Sequence, residues 1–82
     1  MLHHVFFGGR RCRVFTRLAA LSGVRPGDEV LDVGCGTGTF TRVMAEAVTS
    51  GGTVLGVDRS REVIARARRL TRFANCTFSE GI

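Results

Sequence analysis

The sequence predicts an α/β fold, with a small parallel sheet of three strands and helices between them. Three observations predict it. The run Val30-Leu31-Asp32-Val33 is short, apolar and rich in β-branched residues, as a buried parallel strand is. Glycines at 34, 36 and 38 then allow a tight turn, after which Phe40, Val43, Met44, Ala47 and Val48 recur at helical spacing. Beyond that, strand-like and helix-like stretches alternate, which implies right-handed crossovers and parallel strands.

Residues 1–9 have no clear period, and the spacing predicts a mobile terminus there, with the folded unit running over 10–82. Residues 10–22 read as a helix. Val14, Phe15, Leu18 and Leu21 form one apolar stripe, with Arg10, Arg13 and Arg17 mostly off it. Gly23 and Pro26 stop that helix, and Arg25-Pro26-Gly27-Asp28 turns the chain into the first strand, Glu29–Val33. The glycine turn leads into a helix over Thr39–Val48. Ser50-Gly51-Gly52 ends it, and a second short strand over 53–57 closes on Asp58. Ser60 is placed to cap a third helix. Its apolar face is Val63, Ile64, Ala67 and Leu70, and its arginines form a solvated face. Residues 76–78 complete the set as a third strand.

Composition bounds the possibilities. At 82 residues the chain holds one small domain at most. The net charge is +5, and all 12 basic residues are Arg. Most of these are spread over two helices without interleaved aromatics, which argues against nucleic acid as partner. Cys12, Cys35 and Cys76 lie far apart with no CxxC pair, which argues against a zinc site and a disulfide framework and suits a reducing cytoplasm. No apolar run approaches the roughly 18 residues of a membrane span.

The turn carries the chemistry. Parallel strands that end together put Gly34, Cys35, Gly36 and Gly38 on the same rim as Asp58. The helix that follows offers unpaired N–H groups, where an anionic group belongs. Asp58 lies 20 residues after Gly38 and is placed to accept both hydroxyls of a ribose. Asp32, just before the glycines, is placed to attract an ammonium. The implied ligand has a ribose, a carboxylate and a positive charge. A dinucleotide competes with it, but the third glycine comes one place early for G-x-G-x-x-G, and Asp32 would repel a pyrophosphate. Cys35 reads as a small residue facing the ligand or the turn, since no His lies nearby in sequence to activate it.

Val30-Leu31-Asp32-Val33-Gly34-Cys35-Gly36-Thr37-Gly38 resembles motif I of class I S-adenosylmethionine-dependent methyltransferases, and Gly56-Val57-Asp58-Arg59-Ser60 resembles their second motif. The likeness runs from about Arg10 to the end and is nearest to the small-molecule group that includes ubiquinone/menaquinone-biosynthesis enzymes. The resemblance implies S-adenosyl-L-methionine as cofactor. It also implies that Gly34 and Gly36 admit the methionine moiety and that Asp32 holds its ammonium, directly or through water. Asp58 would hold the ribose, and Arg59 would lie beside the adenine. In that family an acidic residue often follows the glycine after the third strand, whereas here Ile82 follows Gly81.

The family's sheet has about seven strands, so the resemblance implies a truncated Rossmann-like sheet, the N-terminal half of a methyltransferase domain. The first strand is then expected to keep an unpaired edge, open to association with a second copy or another protein. No catalytic residue and no metal ligand is identified. The expected function is the cofactor-binding portion of an enzyme that methylates a small molecule, weak or inactive alone. Alternatives are a non-enzymatic nucleoside-binding or interaction module completed by a partner chain, and an RNA methyltransferase fragment.

Overall fold

The computed structural model describes residues 3–7 and 23–81. The helix expected over 10–22, and Cys12 within it, lie outside the described residues. The elements in chain order are β1 (His3–Phe7), β2 (Glu29–Val33), α1 (Thr39–Val48), β3 (Thr53–Asp58), α2 (Arg61–Leu70) and β4 (Cys76–Glu80). The strands form one sheet in the order β1-β2-β3-β4, and every neighbouring pair is parallel. None of the described helices is long and apolar enough to cross a membrane.

Side chains alternate across the strands, and the register lines them up in rows. His4, Val30, Val54 and Cys76 form one row; Phe6, Asp32, Gly56 and Phe78 form the next. Both rows lie on the face that α1 and α2 cover. Val30, Val54, Cys76 and Phe78 pack there with Phe40, Met44, Val48, Ile64 and Ala67 in the core. The intervening row, Val5, Leu31, Leu55 and Thr77, lies on the other face, where Val5 is 55% and Leu55 38% exposed.

The helices depart slightly from their expected faces. α1 buries Phe40, Thr41, Met44, Ala45 and Val48, so its inward face is turned from the expected stripe toward Thr41 and Ala45. Val43 and Ala47 are only half-buried. α2 buries Ile64 and Ala67, whereas Leu70 at its end is 48% exposed. Ser60 caps α2 as expected, its hydroxyl accepting from the Val63 amide at 3.3 Å. The C-terminus of α1 is closed from a distance. Asn75 donates to the carbonyls of Ala45 at 3.1 Å and Thr49 at 2.7 Å, satisfying acceptors that the helix leaves open.

The main correction concerns the N-terminus. Residues 3–7 are not a mobile end but a fourth strand, and they pair along the edge of β2 that the three-strand reading left open. The physical reason lies in that edge, because unpaired amides and carbonyls beside an apolar core draw in any segment able to extend along them. Val5, Phe6 and Phe7 have the shapes that favour a strand. Side-chain contacts among the described residues help dock it. His4 Nε2 lies 2.8 Å from Asp28 Oδ2, and the Phe6 ring meets Phe40 edge-on at a centroid distance of 5.2 Å. Asp28 also accepts from the Arg25 amide at 2.9 Å. That bond, with smaller help from His4, holds the Asp28 carboxyl below its usual range.

Adjacent residues of β1 should therefore differ in their effect on stability. Phe6→Ala is expected to cost about 1–3 kcal/mol in urea unfolding, and the outward Val5→Ala to stay within about 0.5 kcal/mol. Equal effects would mean that β1 does not dock in this register.

Candidate functional site

Parallel pairing fixes the rim. Val33 lies opposite Val57, so the glycine turn after β2 and Asp58 at the end of β3 leave the sheet together. The amides of Gly34 and Cys35 both donate to the Val57 carbonyl, at 2.7 and 2.9 Å, which ties the turn to β3. Asp58 sits between two backbone donors. Its Oδ2 accepts from the Gly36 amide at 3.0 Å and its Oδ1 from the Ser60 amide at 3.1 Å. The carboxylate is half-buried, fixed in orientation and open on one side.

Two glycines in the turn do different work. Gly38 has φ +91, and a Cβ there would lie 2.7 Å from Phe78 Cζ and 2.9 Å from Arg42 Nη1. It is glycine because the core is tight against it. Gly36 has φ +59, and a Cβ there would meet nothing within 4 Å, so its backbone faces open space. Arg42 braces the turn from behind, donating to the Thr37 carbonyl at 2.8 Å and to Thr71 Oγ1 at 3.1 Å.

A cleft of about 420 Å³ opens on this rim, lined by Val33, Gly34, Val57, Asp58, Arg59 and Gly81. That volume is within the range of small-ligand sites. A larger cleft of about 610 Å³ lies at the opposite rim, where Thr49, Gly52, Phe73 and Asn75 contribute to its walls. None of the residues expected at the site reaches it.

Asp32 is placed differently from Asp58. Its side chain is 0% exposed, on the helix-covered face. Thr41 Oγ1 donates to its Oδ2 at 2.7 Å, and Oδ1 is enclosed without a hydrogen-bond partner among the described residues. Burial pushes its carboxyl up to about 6, and the Thr41 bond offsets part of that rise. Cys35 is buried beside it. Burial, and then the charges of Asp32 and Asp58, push its thiol up to about 12, so it is a poor nucleophile. Burial likewise raises Cys76 to about 11.

Of the residues expected at the site, Gly34, Asp58 and Arg59 line the cleft, and Gly36 is bonded to Asp58. Asp32, Cys35 and Gly38 stand behind the rim rather than in the cleft. Direct contact between Asp32 and a ligand is closed in this geometry, which leaves its charge as its means of action. Sequence reasoning missed Thr41, Arg42 and Phe78. Thr41 had a legible signal, since a buried acid in a strand needs a donor and Thr41 is a polar residue beside Phe40. Phe78 had a fainter one, the space left by Gly56 opposite it in the register.

Half-buried carboxylate, open glycine backbone and a buried acid with one oxygen unpartnered among the described residues together suit a nucleoside carrying a cationic tail. Comparison with known proteins agrees. Residues 25–81 match the family described as a methyltransferase domain. The chain is 41% identical over 63 residues to 2-phytyl-1,4-naphtoquinone methyltransferase of Synechococcus elongatus, covering 71% of this chain and 27% of that protein. It is 37% identical over 68 residues to demethylmenaquinone methyltransferase of Symbiobacterium thermophilum, covering 83% of this chain and 27% of that protein. A solved protein-L-isoaspartate O-methyltransferase superposes with a TM-score of 0.72 at 30% identity, over 85% of this chain and 22% of that one. A SAM-dependent methyltransferase from Aquifex aeolicus shares the fold, with a TM-score of 0.77 at 21% identity, over 89% of this chain and 43% of that one. The chain thus spans about a quarter of the length of these two curated relatives.

The raised Asp32 carboxyl has a consequence for stability. Between its ordinary value of 3.8 and about 6, the folded protein holds this proton more tightly than the unfolded chain does. Its contribution therefore grows as pH falls through 6 and levels off near 4. Asp28, whose carboxyl is lowered, acts in the opposite sense and below that window. Relative to Asp32→Asn, the wild type is expected to gain about 1 kcal/mol between pH 7.5 and pH 5. Urea unfolding at the two pH values measures this, and parallel curves for the two proteins would refute the burial of an ionisable Asp32.

Proposed function

Because this chain belongs to the methyltransferase-domain family, which implies S-adenosylmethionine as cofactor, we propose that its glycine-rich rim is the S-adenosylmethionine-binding portion of an enzyme that methylates a small molecule. The observation that carries this reading is the bond from the Gly36 amide to Asp58 Oδ2, beside open space over Gly36 and a cleft lined by Asp58 and Arg59. Bound there, S-adenosylmethionine would supply an electrophilic methyl group on a sulfonium leaving group.

The chain's own residues bind and orient. Asp58, held by two amides, presents a carboxylate suited to the paired hydroxyls of a ribose. Gly34 and Gly36 let the main chain approach the methionine end without side chains in the way. Arg59, exposed at the cleft wall, offers a flat guanidinium beside a base. Asp32 adds negative charge behind the turn. Rate enhancement in such a displacement comes from holding the two reactants in line, and none of the residues named here is assigned as a general base. The relatives named for naphthoquinone and demethylmenaquinone substrates favour an aromatic, quinone-type acceptor for this chain too. The buried free thiols Cys35 and Cys76 suit a reducing compartment such as the cytoplasm.

Calorimetry tests the cofactor. S-adenosylmethionine is expected to bind more tightly than NAD, and the reverse order would overturn the assignment. Asp58→Ala is expected to weaken binding at least tenfold, with Asp58→Asn intermediate because it keeps an acceptor for the Gly36 amide. Gly36→Ala is expected to cost about 1 kcal/mol of stability from its positive φ, yet to weaken binding more than that strain accounts for. An unchanged affinity in Gly36→Ala would exclude close approach of the ligand to the turn.

A further inference from the structure

Thr41 and Asp32 form a buried polar pair that the fold does not need. Both side chains are 0% exposed. Thr41 lies between Phe40 and Ala45 on the inward face of α1, where an apolar residue would pack without desolvating a hydroxyl. Asp32 stands in a strand between apolar neighbours, and its Oδ1 has no partner among the described residues. Leaving a buried acceptor unmet costs about 1–3 kcal/mol. Replacing both groups with apolar side chains would relieve that cost, so their presence points to a use for the charge.

Among the described residues, nothing neutralises the charge. Across β3 the neighbour is Gly56, and beyond it on β4 is Phe78; on the β1 side it is Phe6. The thiols of Cys35 and Cys76 both feel the Asp32 charge, and Asp58 acts on Cys35 in the same sense. The cation of α1, Arg42, is engaged with Thr37 and Thr71, and His4 lies on Asp28 at the other end of β2. No described basic side chain forms an ion pair with Asp32.

Resting on the S-adenosylmethionine reading above, we propose that Thr41 is a positioning residue for the site. Its buried hydroxyl holds the Asp32 carboxylate as an anion behind the glycine turn, and the field of that anion selects a cationic ligand tail. A charge enclosed away from water and counter-ions is weakly screened and acts at distances where a surface carboxylate does not. A pyrophosphate at the same turn meets repulsion from it. Thr41 makes the arrangement possible because a hydrogen bond to the charged form offsets part of the desolvation of that form.

The test uses the full chain with Thr41→Val, which removes the hydroxyl at nearly constant shape, and Thr41→Ser, which keeps it. Two measurements are made on each: the titration of the Asp32 carboxyl by carbon NMR, and calorimetric affinities for S-adenosylmethionine and for adenosine from pH 5.5 to pH 9. Thr41→Val is expected to raise the Asp32 midpoint by about 1–2 pH units, the worth of a hydrogen bond to a charged group. Relative to the wild type at the same pH, S-adenosylmethionine affinity should then be about two- to tenfold weaker at pH 7, and the difference should close by pH 9, where the sulfonium keeps the ligand cationic. Adenosine, which lacks the cationic tail, should bind as in the wild type throughout, and Thr41→Ser should restore both readouts. An equal loss for both ligands at every pH would reduce Thr41 to a packing residue and overturn the proposal, as would an unmoved Asp32 titration. If the wild type binds neither ligand, the cofactor reading fails and the selectivity with it. The Asp32 titration then still decides whether Thr41 governs that charge.

Discussion

The Val57 carbonyl accepts from the amides of both Gly34 and Cys35, and the rest of the rim takes its position from that fork. One acceptor on β3 anchors the turn that leaves β2, so two parallel strands and a glycine loop become a single rigid corner. Asp58, one residue beyond Val57, is carried to the Gly36 amide. Ser60, two residues further, donates its own amide to the same carboxylate and starts α2. These backbone and side-chain bonds thereby couple sheet register to the orientation of a carboxylate at the open edge. Parallel pairing makes this possible, because it brings the ends of consecutive strands to one side of the sheet.

Behind the rim the chain accepts an electrostatic cost. Asp32 is enclosed, partly satisfied by Thr41, and without a partner on its other oxygen among the described residues. Stability alone disfavours such a group, since removing a carboxylate from water without a compensating cation is expensive. The half-buried Asp58 carries no comparable burden, with both of its oxygens on backbone donors. The two acids thus divide the work, one offering directional hydrogen bonds at the surface and the other a charge held in reserve. The thiols nearby are the casualties of that arrangement. Burial and negative charge keep Cys35 protonated, which removes it from nucleophilic chemistry.

Local signals located the central corner well because its chemistry is local. A short apolar run, three glycines, an acid before them and an acid closing the next strand are all contained between Val30 and Asp58. The N-terminal strand carried no such signal. Five residues with strand-favouring shapes but no period are not committed to a strand until an edge is offered, and the decision belongs to β2 and not to His3–Phe7 alone. The rotation of α1 toward Thr41 has a similar cause. Periodicity marks which residues are apolar, but the carboxylate under the helix holds the Thr41 hydroxyl inward, and the stripe turns with it.

The sequence by itself determined the alternation of strands and helices, the glycine turn, the cap at Ser60 and the meeting of Asp58 with the turn at one rim. Each follows from residues near one another in the chain or from the rule that crossovers are right-handed. Tertiary structure alone decided that Asp32 stands behind the rim, that Thr41 holds it, that Asn75 closes α1 and that residues 3–7 seal the edge of β2. Those depend on which surfaces are brought together by folding, and burial and hydrogen bonding act on that proximity whatever the separation in sequence.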